Sequence, residues 1–580
     1  ELSGFQRKIK NSRKKGESMM KKSIQTKLCL LLCLVLSIGV LAGCGEKKEE
    51  NKPASNANTE GQGGQSGNEE QESDEGTEGG ALTELPMPLT EEKVTLKVLT
   101  YYINSYIEDP NDLPGVQAME EATNVHIDWV TFSGNEIQEK WGLLLSSGDL
   151  PDLMYPTENV SYPGGVEKAI EDGMFMDCTD LVENYMPNYR EMRLATGELE
   201  KDTMTDSGTL ACIYGFNSTD TEIIAQPQWT GLCIRRDMLD SFGYTDTPET
   251  IDDWHELLTV AKQNGVEAPL LTGANGYNRA ASFMSAYGIL PGMYQENGVV
   301  KYAAAEPGYK EWVQLFRDWY KEGLLDPNFV SNDAYLVADN AYAANGKSVA
   351  FQTVVGFTEN GLYTNGIAQD ETIHIQPVLS PVLNEGDTPH SFNVCSPTCG
   401  NEFYISASTK HPEIAAMWLD YQYTEEGMRY NFYGIEGESY ELVDGEIKLL
   451  DSVINNPDYS ISDALSLYAR GNGIGRYNWN VSSHYSDPKF ENNMNFWQDN
   501  QDFSLNMPVR ISMTEAEGTE YNTTFTSIET LTNEMTVKFI MGTESMDGYE
   551  KFVEDLYTYG LQRCIDIQQA ALDRYNNRGN

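Results

Sequence analysis

Two short runs place aromatic rings beside planar hydrogen-bonding groups. Tyr277-Asn278-Arg279 sits in a glycine-rich stretch and offers one ring and two polar side chains. Arg476-Tyr477-Asn478-Trp479 follows Arg470 and the run Gly471-Asn472-Gly473-Ile474-Gly475. That glycine run lacks the strand-to-helix spacing and second half of a dinucleotide loop, so it reads as a flexible turn. Trp229 precedes an apolar segment, and Tyr101, Tyr102 and Asn104 close another. Such residues hold a ligand by stacking and hydrogen bonding. Signs of catalysis are missing. Neither Gly-x-Ser-x-Gly nor His-Glu-x-x-His occurs. His126, His255, His374, His390, His411 and His484 are scattered without metal-ligand spacing, so no metal or other cofactor is expected.

One cysteine stands apart. Leu41-Ala42-Gly43-Cys44 ends an apolar run from Leu28 to Ala42, with Lys21, Lys22 and Lys27 directly upstream. A basic patch, an apolar run and small residues before a cut site make a secretory signal. The run is shorter than the roughly 20 residues of a membrane-spanning helix. Cys44 after Leu-Ala-Gly resembles the lipobox of bacterial lipoproteins. That resemblance implies cleavage before Cys44, a thioether-linked diacylglycerol and an acylated new amino terminus. The alternative is an ordinary signal, or a short anchor, with a cysteine there by chance. The first methionines are Met19 and Met20, so residues 1–18 read as an upstream extension. The expected location is the extracellular face of the cell membrane, lipid-anchored.

Charge and length narrow the possible functions. The chain carries a formal −49, and removing residues 1–43, with nine Lys/Arg and two Asp/Glu, leaves −56. Nucleic acid would repel such a surface, because affinity there rests on Lys and Arg neutralising phosphate. Residues 45–90 are rich in Gly, Glu, Asn, Gln and Ser and nearly free of aromatic or branched apolar residues. They cannot bury enough surface to offset ordering entropy and form a tether with an r.m.s. span of about 35–40 Å. The roughly 490 residues beyond it exceed one core, so at least two lobes are expected. Of the remaining cysteines, Cys178, Cys212, Cys233, Cys395, Cys399 and Cys564, only Cys395 and Cys399 are spaced to bridge across a loop. Buried free thiols are the other reading.

The elements that must position the candidate residues follow an α/β rhythm. Val94 to Leu99 alternates as a strand and opens into Tyr101-Tyr102-Ile103-Asn104. Gly115–Asn124 reads as a helix, Val125–Val130 as a second strand, Glu136–Ser146 as a helix, and Leu153-Met154 begins a third strand. That order predicts a mostly parallel sheet with ligands beyond the carboxyl ends of its strands. Tyr101, Tyr102, Asn104 and Asp152 are expected near those ends. Further on, Thr250 and Asp253 make a capping-box start. Trp254, Leu257, Leu258 and Ala261, then Trp312, Leu315, Phe316 and Trp319, share helix faces and are read as core. Thr409–Tyr421 is another amphipathic helix, and Tyr549–Tyr575 has helical periodicity. No repeat of solenoid length is evident.

Seven blocks in order resemble family 1 extracellular solute-binding proteins of ABC importers, and more narrowly the lipoproteins of Gram-positive oligosaccharide permeases. They are Ser147-Gly148-Asp149-Leu150-Pro151-Asp152; Ile234–Tyr244 with Pro248-Glu249-Thr250; Leu315–Phe329; Asn345–Ala350; Ser406–Met428; Tyr433–Gly437; and Phe539–Gly542 with Tyr559–Tyr575. The match spans 93–576. It implies a two-lobe periplasmic-binding-protein-like (type II) α/β fold with ligand in the cleft. Lobe 1 would hold 93–225 and 390–465, and lobe 2 would hold 226–389 and 466–576, with 1–43 as extension and signal and 44–92 as lipidated cysteine and tether. Crossovers are expected around 383–400 and 452–476.

The resemblance also implies a task. The protein would capture an oligosaccharide by hinge closure and deliver it to permease subunits, acting as a tethered monomer and not as an enzyme. Tyr101, Tyr102, Asn104, Asp152, Trp229, Tyr277, Asn278, Arg279, Arg470, Tyr477 and Trp479 are the expected ligand-binding residues. Some relatives carry an EF-hand-like calcium loop after the helix that corresponds to 251–263. Here Gln263-Asn264-Gly265-Val266-Glu267-Ala268-Pro269 lacks its ligand spacing, and no calcium is expected. Two alternatives stay open: an exported glycoside hydrolase, which needs two carboxylates facing across a cleft, and a peptide or amino-acid binder of the same fold.

Overall fold

The strand Val94–Tyr101 is flanked on both edges, and from Val98 to Thr100 every side chain is buried. It belongs to a computed structural model that describes residues 81–579 apart from 103, 134–135, 157–160, 219–227, 229, 274–280, 332–341, 355–369, 371, 392–397, 472–474 and 479–495. Cys44, the tether as far as residue 80, Trp229, Tyr277-Asn278-Arg279, Cys395 and Trp479 lie outside the described residues. The expected end of the tether belongs instead to the fold: Leu82, Leu85 and Leu89 pack on the first core, and the Leu82 and Leu89 amides donate to the Asn184 and Thr123 carbonyls at 2.9 and 3.1 Å. The strands are β1 (Val94–Tyr101), β2 (Val125–Phe132), β3 (Leu153–Met154), β4 (Ile213–Ser218), β5 (Thr230–Arg235), β6 (Met293–Glu296), β7 (Val299–Tyr302), β8 (Ala350–Val354), β9 (Ile375–Pro377), β10 (Thr398–Ile405), β11 (Tyr440–Val443), β12 (Glu446–Leu449) and β13 (Arg476–Asn478).

Two main sheets result. The larger runs β13-β4-β10-β3-β1-β2, and the smaller runs β8-β5-β9. β1 and β2 pair in parallel from Val94↔Val125 to Tyr101↔Phe132, and β3 pairs in parallel on the other side of β1. β10 is antiparallel to both β3 and β4, which sets β4 parallel to β1. The carboxyl ends of β1, β2, β3 and β4 therefore share one edge. α1 (Pro114–Thr123) and α2 (Glu136–Ser147) make the crossovers, as expected of βαβ units. Leu96, Val98 and Ile127 then pack with α3 (Thr179–Tyr185), α4 (Pro187–Arg193) and the later Trp418 in the first core.

The second core gathers around β5. α5 (Ile251–Gln263) starts at the expected capping box, with Thr250 Oγ1 accepting from the Asp253 amide at 3.2 Å and Asp253 Oδ2 accepting from the Thr250 amide at 2.8 Å. Its Trp254, Leu257, Leu258 and Ala261 are buried, as are Trp312, Phe316 and Trp319 of α6 (Pro307–Glu322), while Leu315 is half-buried. Phe283 joins the two helices, edge-on to Trp254 at 5.0 Å and to Trp319 at 5.5 Å. α7 (Pro412–Tyr421) belongs to the first core. α8 (Glu515–Met541), α9 (Tyr549–Thr558) and α10 (Leu561–Asn576) belong to the second. The continuous periodicity of 549–575 is split at Gly560, whose φ of 101° no residue with a Cβ adopts without strain.

The chain passes between the lobes more than once, and the passages meet beside the second sheet. Gln228 Oε1 accepts from both Ser391 Oγ and Gln501 Nε2 (3.2 Å for the latter), and Gln501 Oε1 accepts from Ser380 Oγ at 2.7 Å. The Ser391 amide donates to the Asp502 carbonyl at 2.6 Å. One boundary differs from expectation. β13 pairs in parallel with β4, so 476–478 lie on the first sheet rather than in lobe 2, and the short helices Asp451–Ile454 and Ile461–Leu465 pack against the β11–β12 hairpin. The turn-like composition of 452–476 concealed this, because short helices and an edge strand need few apolar residues.

Candidate functional site

At the shared edge, the loop after β1 turns back on itself. Asn104 Oδ1 accepts from the amides of Tyr106 and Ile107 at 2.8 and 2.9 Å, and its Nδ2 donates to the Ser466 carbonyl at 2.7 Å. Asparagine supplies such turns because its short amide mimics the backbone. Tyr102 donates from its hydroxyl to the Ile107 carbonyl at 2.9 Å. Burial pushes the Tyr102 phenol up, and its hydrogen bond with Asn104 and the charge of Arg470 oppose that shift. The loop forms one wall of a depression of about 430 Å³ lined by Tyr102, Asn104, Ser105, Tyr106, Glu108, Thr131 and Ser133. Rings and hydroxyls around an open hollow suit a polar ligand that also has apolar faces.

Behind this wall, Arg470 lies with its guanidinium carbon 4.6 Å from the centre of the Trp129 ring and donates to Thr100 Oγ1 at 3.3 Å. Trp129 Nε1 donates to Asn111 Oδ1 at 3.1 Å, and its ring meets Trp418 edge-on at 6.3 Å. Tyr155 follows β3 at the same edge and stacks on Phe403 at 4.9 Å. Tyr101 turns to the opposite face of the sheet, edge-on to Phe132 at 5.8 Å. Tyr101, Tyr102 and Asn104 thus stand at or just beyond the end of β1, as the alternation implied, and the fold brings Arg470 to them through Thr100 and Trp129. Arg476, Tyr477 and Asn478 form β13, where Tyr477 pairs with Asn217 near the carboxyl end of β4.

Asp152 is not part of this group. It precedes β3, at the amino end of the strand, and its carboxylate is already held. Oδ2 accepts from the Lys97 amide at 2.8 Å and Oδ1 from Thr409 Oγ1 at 2.6 Å, while its carbonyl accepts from the Ser406 amide at 3.0 Å. Asp152 therefore ties β1 to the turn after β10. The position misled because β3 is two residues long, so that a strand start looks like a strand end. Trp129, Tyr155, Thr131 and Ser133 went unrecognised. The signal for Trp129 was its place near the end of an alternating strand, where a ring that is apolar on its faces and polar at its N–H suits a partly open site.

Elsewhere the titratable groups pair locally. His126 meets Glu120, His255 meets Glu322 and His390 meets Asp502, each in a different part of the fold. Among the described residues no group of three metal-ligating side chains converges. In the turn after α5, Glu267 faces Lys347 at 3.7 Å. Cys178, Cys212, Cys233 and Cys564 are buried thiols. Burial pushes the Cys564 thiol to about 11 and the Cys178 thiol to about 12, which suits packing and not nucleophilic chemistry.

Residues 100–429 match the model of the bacterial extracellular solute-binding proteins. The chain belongs to that family. This solute-binding protein is 25% identical over 424 residues to the fructooligosaccharide ABC transporter substrate-binding protein FusA of Streptococcus pneumoniae, covering 70% of each chain. Its fold is similar to an HMO-binding, ABC-transporter-associated solute-binding protein of Bifidobacterium longum infantis, with a TM-score of 0.66 at 16% identity over 83% of this chain and 99% of that one. The alginate-binding protein AlgQ2 gives 0.63 at 19% identity, with coverage of 83% and 99%. At such identities the structural likeness establishes the two-lobe type II fold alone. The solute-binding protein serves an ABC transporter, and the matched relatives are binding proteins, not enzymes.

Proposed function

We propose that this solute-binding protein captures an oligosaccharide between its lobes and delivers it to the permease of an ABC importer. The observation that carries the reading is the hollow at the end of β1 and β2, where Tyr102, Tyr106, Asn104, Thr131 and Ser133 combine rings with hydroxyl and amide groups. Pyranose and furanose rings present both kinds of surface, whereas a free amino acid presents two charges. The relatives named for saccharides support the class. Lobe closure about the passages at Gln228, Ser391 and Gln501 would bury the sugar, and the ligand shifts that balance only through its higher affinity for the closed form. Trp229, Tyr277, Asn278, Arg279, Tyr477 and Trp479 complete the site in this reading. Cleavage before Cys44 and lipidation there would hold the protein at the outer membrane face, where a captured solute is useful only near its transporter.

A thermal-shift panel of oligosaccharides, peptides and amino acids tests the class, since a specific ligand raises the apparent melting temperature by mass action. Shifts with peptides alone would overturn the saccharide assignment, and released product sugars would overturn the binding role. Trp229→Ala and Trp479→Ala are each expected to weaken sugar binding. Unchanged affinity in both would remove those residues from the site. Mass spectrometry of the protein from its own membranes tests the anchor, which requires an amino terminus at a diacylglyceryl Cys44.

A further inference from the structure

Arg470 is placed where the chain leaves the helix Ile461–Leu465 and starts toward β13, beside the carboxyl ends of β1 and β2. Its surroundings are unusual for a cation in a chain with 89 Asp and Glu. Nε is enclosed and finds no acceptor. Nη2 has one neutral partner, Thr100 Oγ1, at 3.3 Å. Among the described residues no carboxylate pairs with it. Burial pulls the guanidinium down to about 10, opposed only by the phenols of Tyr102 and Tyr155. Glu120, which borders the same small void, is committed to Lys93 and His126.

Arg476 on β13 also has an enclosed Nε without an acceptor, but it has partners elsewhere, and the remaining buried or half-buried arginines are treated differently from Arg470. Arg235, Arg236, Arg510, Arg574 and Arg578 each meet a carboxylate. Arg190 and Arg317 donate to backbone carbonyls. Arg193 bonds the Thr203 hydroxyl and leaves no enclosed nitrogen without an acceptor. An enclosed cation without counter-charge is costly, and the cost falls when an anion arrives. The Trp129 ring holds one face of the guanidinium and Nε is enclosed, but the residue is only partly buried, so the Nη side is the one left for a ligand. The void shared with Trp129, Trp418 and Asn431, about 10 Å³, admits no more than a water, so a ligand group must meet the outer edge.

We propose that Arg470 receives a carboxylate of the ligand, so that the preferred solute is an oligosaccharide containing uronic acid units. This rests on the saccharide reading of the hollow and adds the charge of the ligand to it. The planar fork of a guanidinium matches a carboxylate in two parallel charge-assisted bonds, which a hydroxyl cannot reproduce. The strongly negative surface does not oppose this, since a local site sets the field that a bound group feels.

Calorimetric titration of the intact protein tests it with a panel of uronic-acid oligosaccharides, the same compounds with their carboxylates reduced to alcohols, and neutral oligosaccharides bearing sulfate esters. The uronates are expected to bind about 30-fold tighter than their reduced forms. Arg470→Met should bring the two within about threefold of each other, and Arg470→Lys should keep part of the preference. Ligand-free Arg470→Met should melt no lower than the wild type, which a purely structural arginine would not allow. Equal or tighter binding of reduced or unmodified sugars by the wild type overturns this inference and leaves the saccharide reading intact. A preference for the sulfate esters overturns the carboxylate assignment. Binding of no member of the panel overturns both.

Discussion

Asp206 and Arg574, far apart in sequence, meet across the two lobes with Oδ2 accepting from Nε at 3.0 Å. Asp206 also accepts from Arg578 Nε at 2.8 Å, and the buried Tyr575 hydroxyl donates to Asp202 Oδ1 at 2.6 Å. Asp202 and Asp206 precede β4 and so stand at its amino end, away from the hollow at the strand carboxyl ends. A clasp on that side is stretched when the opposite edges approach.

Asp206→Asn should therefore do two opposite things. Loss of the charge-assisted bonds to Arg574 and Arg578 is expected to lower unfolding free energy by about 1–3 kcal/mol, read from urea denaturation. Removal of the clasp should also make closure easier and tighten ligand binding a few-fold, since affinity scales with the population of the competent state. Weaker binding in Asp206→Asn would place the clasp with the closed form instead.

Asp420 gives a pH dependence. This buried carboxylate caps α4 from another helix, accepting from the Tyr189 amide at 2.7 Å and from Asn188 Nδ2 at 2.7 Å. Burial raises it from 3.8 to about 6, and the bonds from Tyr189 and Asn188 offset only part of that. Its folded value exceeds its unfolded value, so the native state binds the extra proton between about pH 4 and 6. The contribution is full below pH 4 and is lost as pH rises through 6, a difference of about 3 kcal/mol. Asp420→Asn removes the titration but turns an amide donor toward Asn188. The variant should be less stable than the wild type at pH 4.5, with the gap narrowing by pH 7 in parallel denaturant titrations.

Local patterns were legible because the rules behind them are local. The Trp254–Leu258 and Trp312–Trp319 faces, the Thr250 capping box and the β1–β2 alternation each lie within a few residues of chain. The carboxyl-end placement of Tyr102 and Asn104 followed from the same alternation. The clasp was not legible, since 368 residues separate Asp206 from Arg574 and nothing local pairs them. Arg470 stood out for its neighbours in sequence, whereas its significance lies in Trp129 and Thr100, brought to it by the fold. Asp152 shows the converse failure, where a two-residue strand gave too little pattern to tell its start from its end.

Gly231 in the central strand β5 is required by a side chain and not by a turn. A Cβ there would lie 2.2 Å from Trp497 Cε2, whose indole nitrogen donates to the Val378 carbonyl at 2.9 Å. Gly231→Ala must displace the indole, and overpacking of this kind costs about 1–3 kcal/mol. The near-ultraviolet circular dichroism of the variant should change together with its denaturation midpoint. An unaltered spectrum would mean that the strand, not the indole, yields.

Gln228 is where stability and closure become separable. Its Nε2 donates to the Thr230 carbonyl at 2.8 Å while Oε1 takes the donors of Ser391 and Gln501, one from each of two further passages of the chain. Gln228 and Ser391 are buried and Gln501 half-buried, so Gln228→Leu removes one hydrogen bond each from the Ser391 hydroxyl, a Gln501 amide hydrogen and the Thr230 carbonyl. A typical hydrogen bond contributes about 0.5–1.5 kcal/mol, and the variant should lose stability on the scale of the three it removes. Gln228→Glu keeps the shape and both acceptor bonds but replaces the donor to Thr230, and should lose less near pH 5 than near pH 8. Small-angle scattering with and without ligand then reads the hinge itself. If the three passages act as one joint, Gln228→Leu should broaden the ligand-free ensemble and leave the liganded radius of gyration unchanged, because the closed form is held by the ligand.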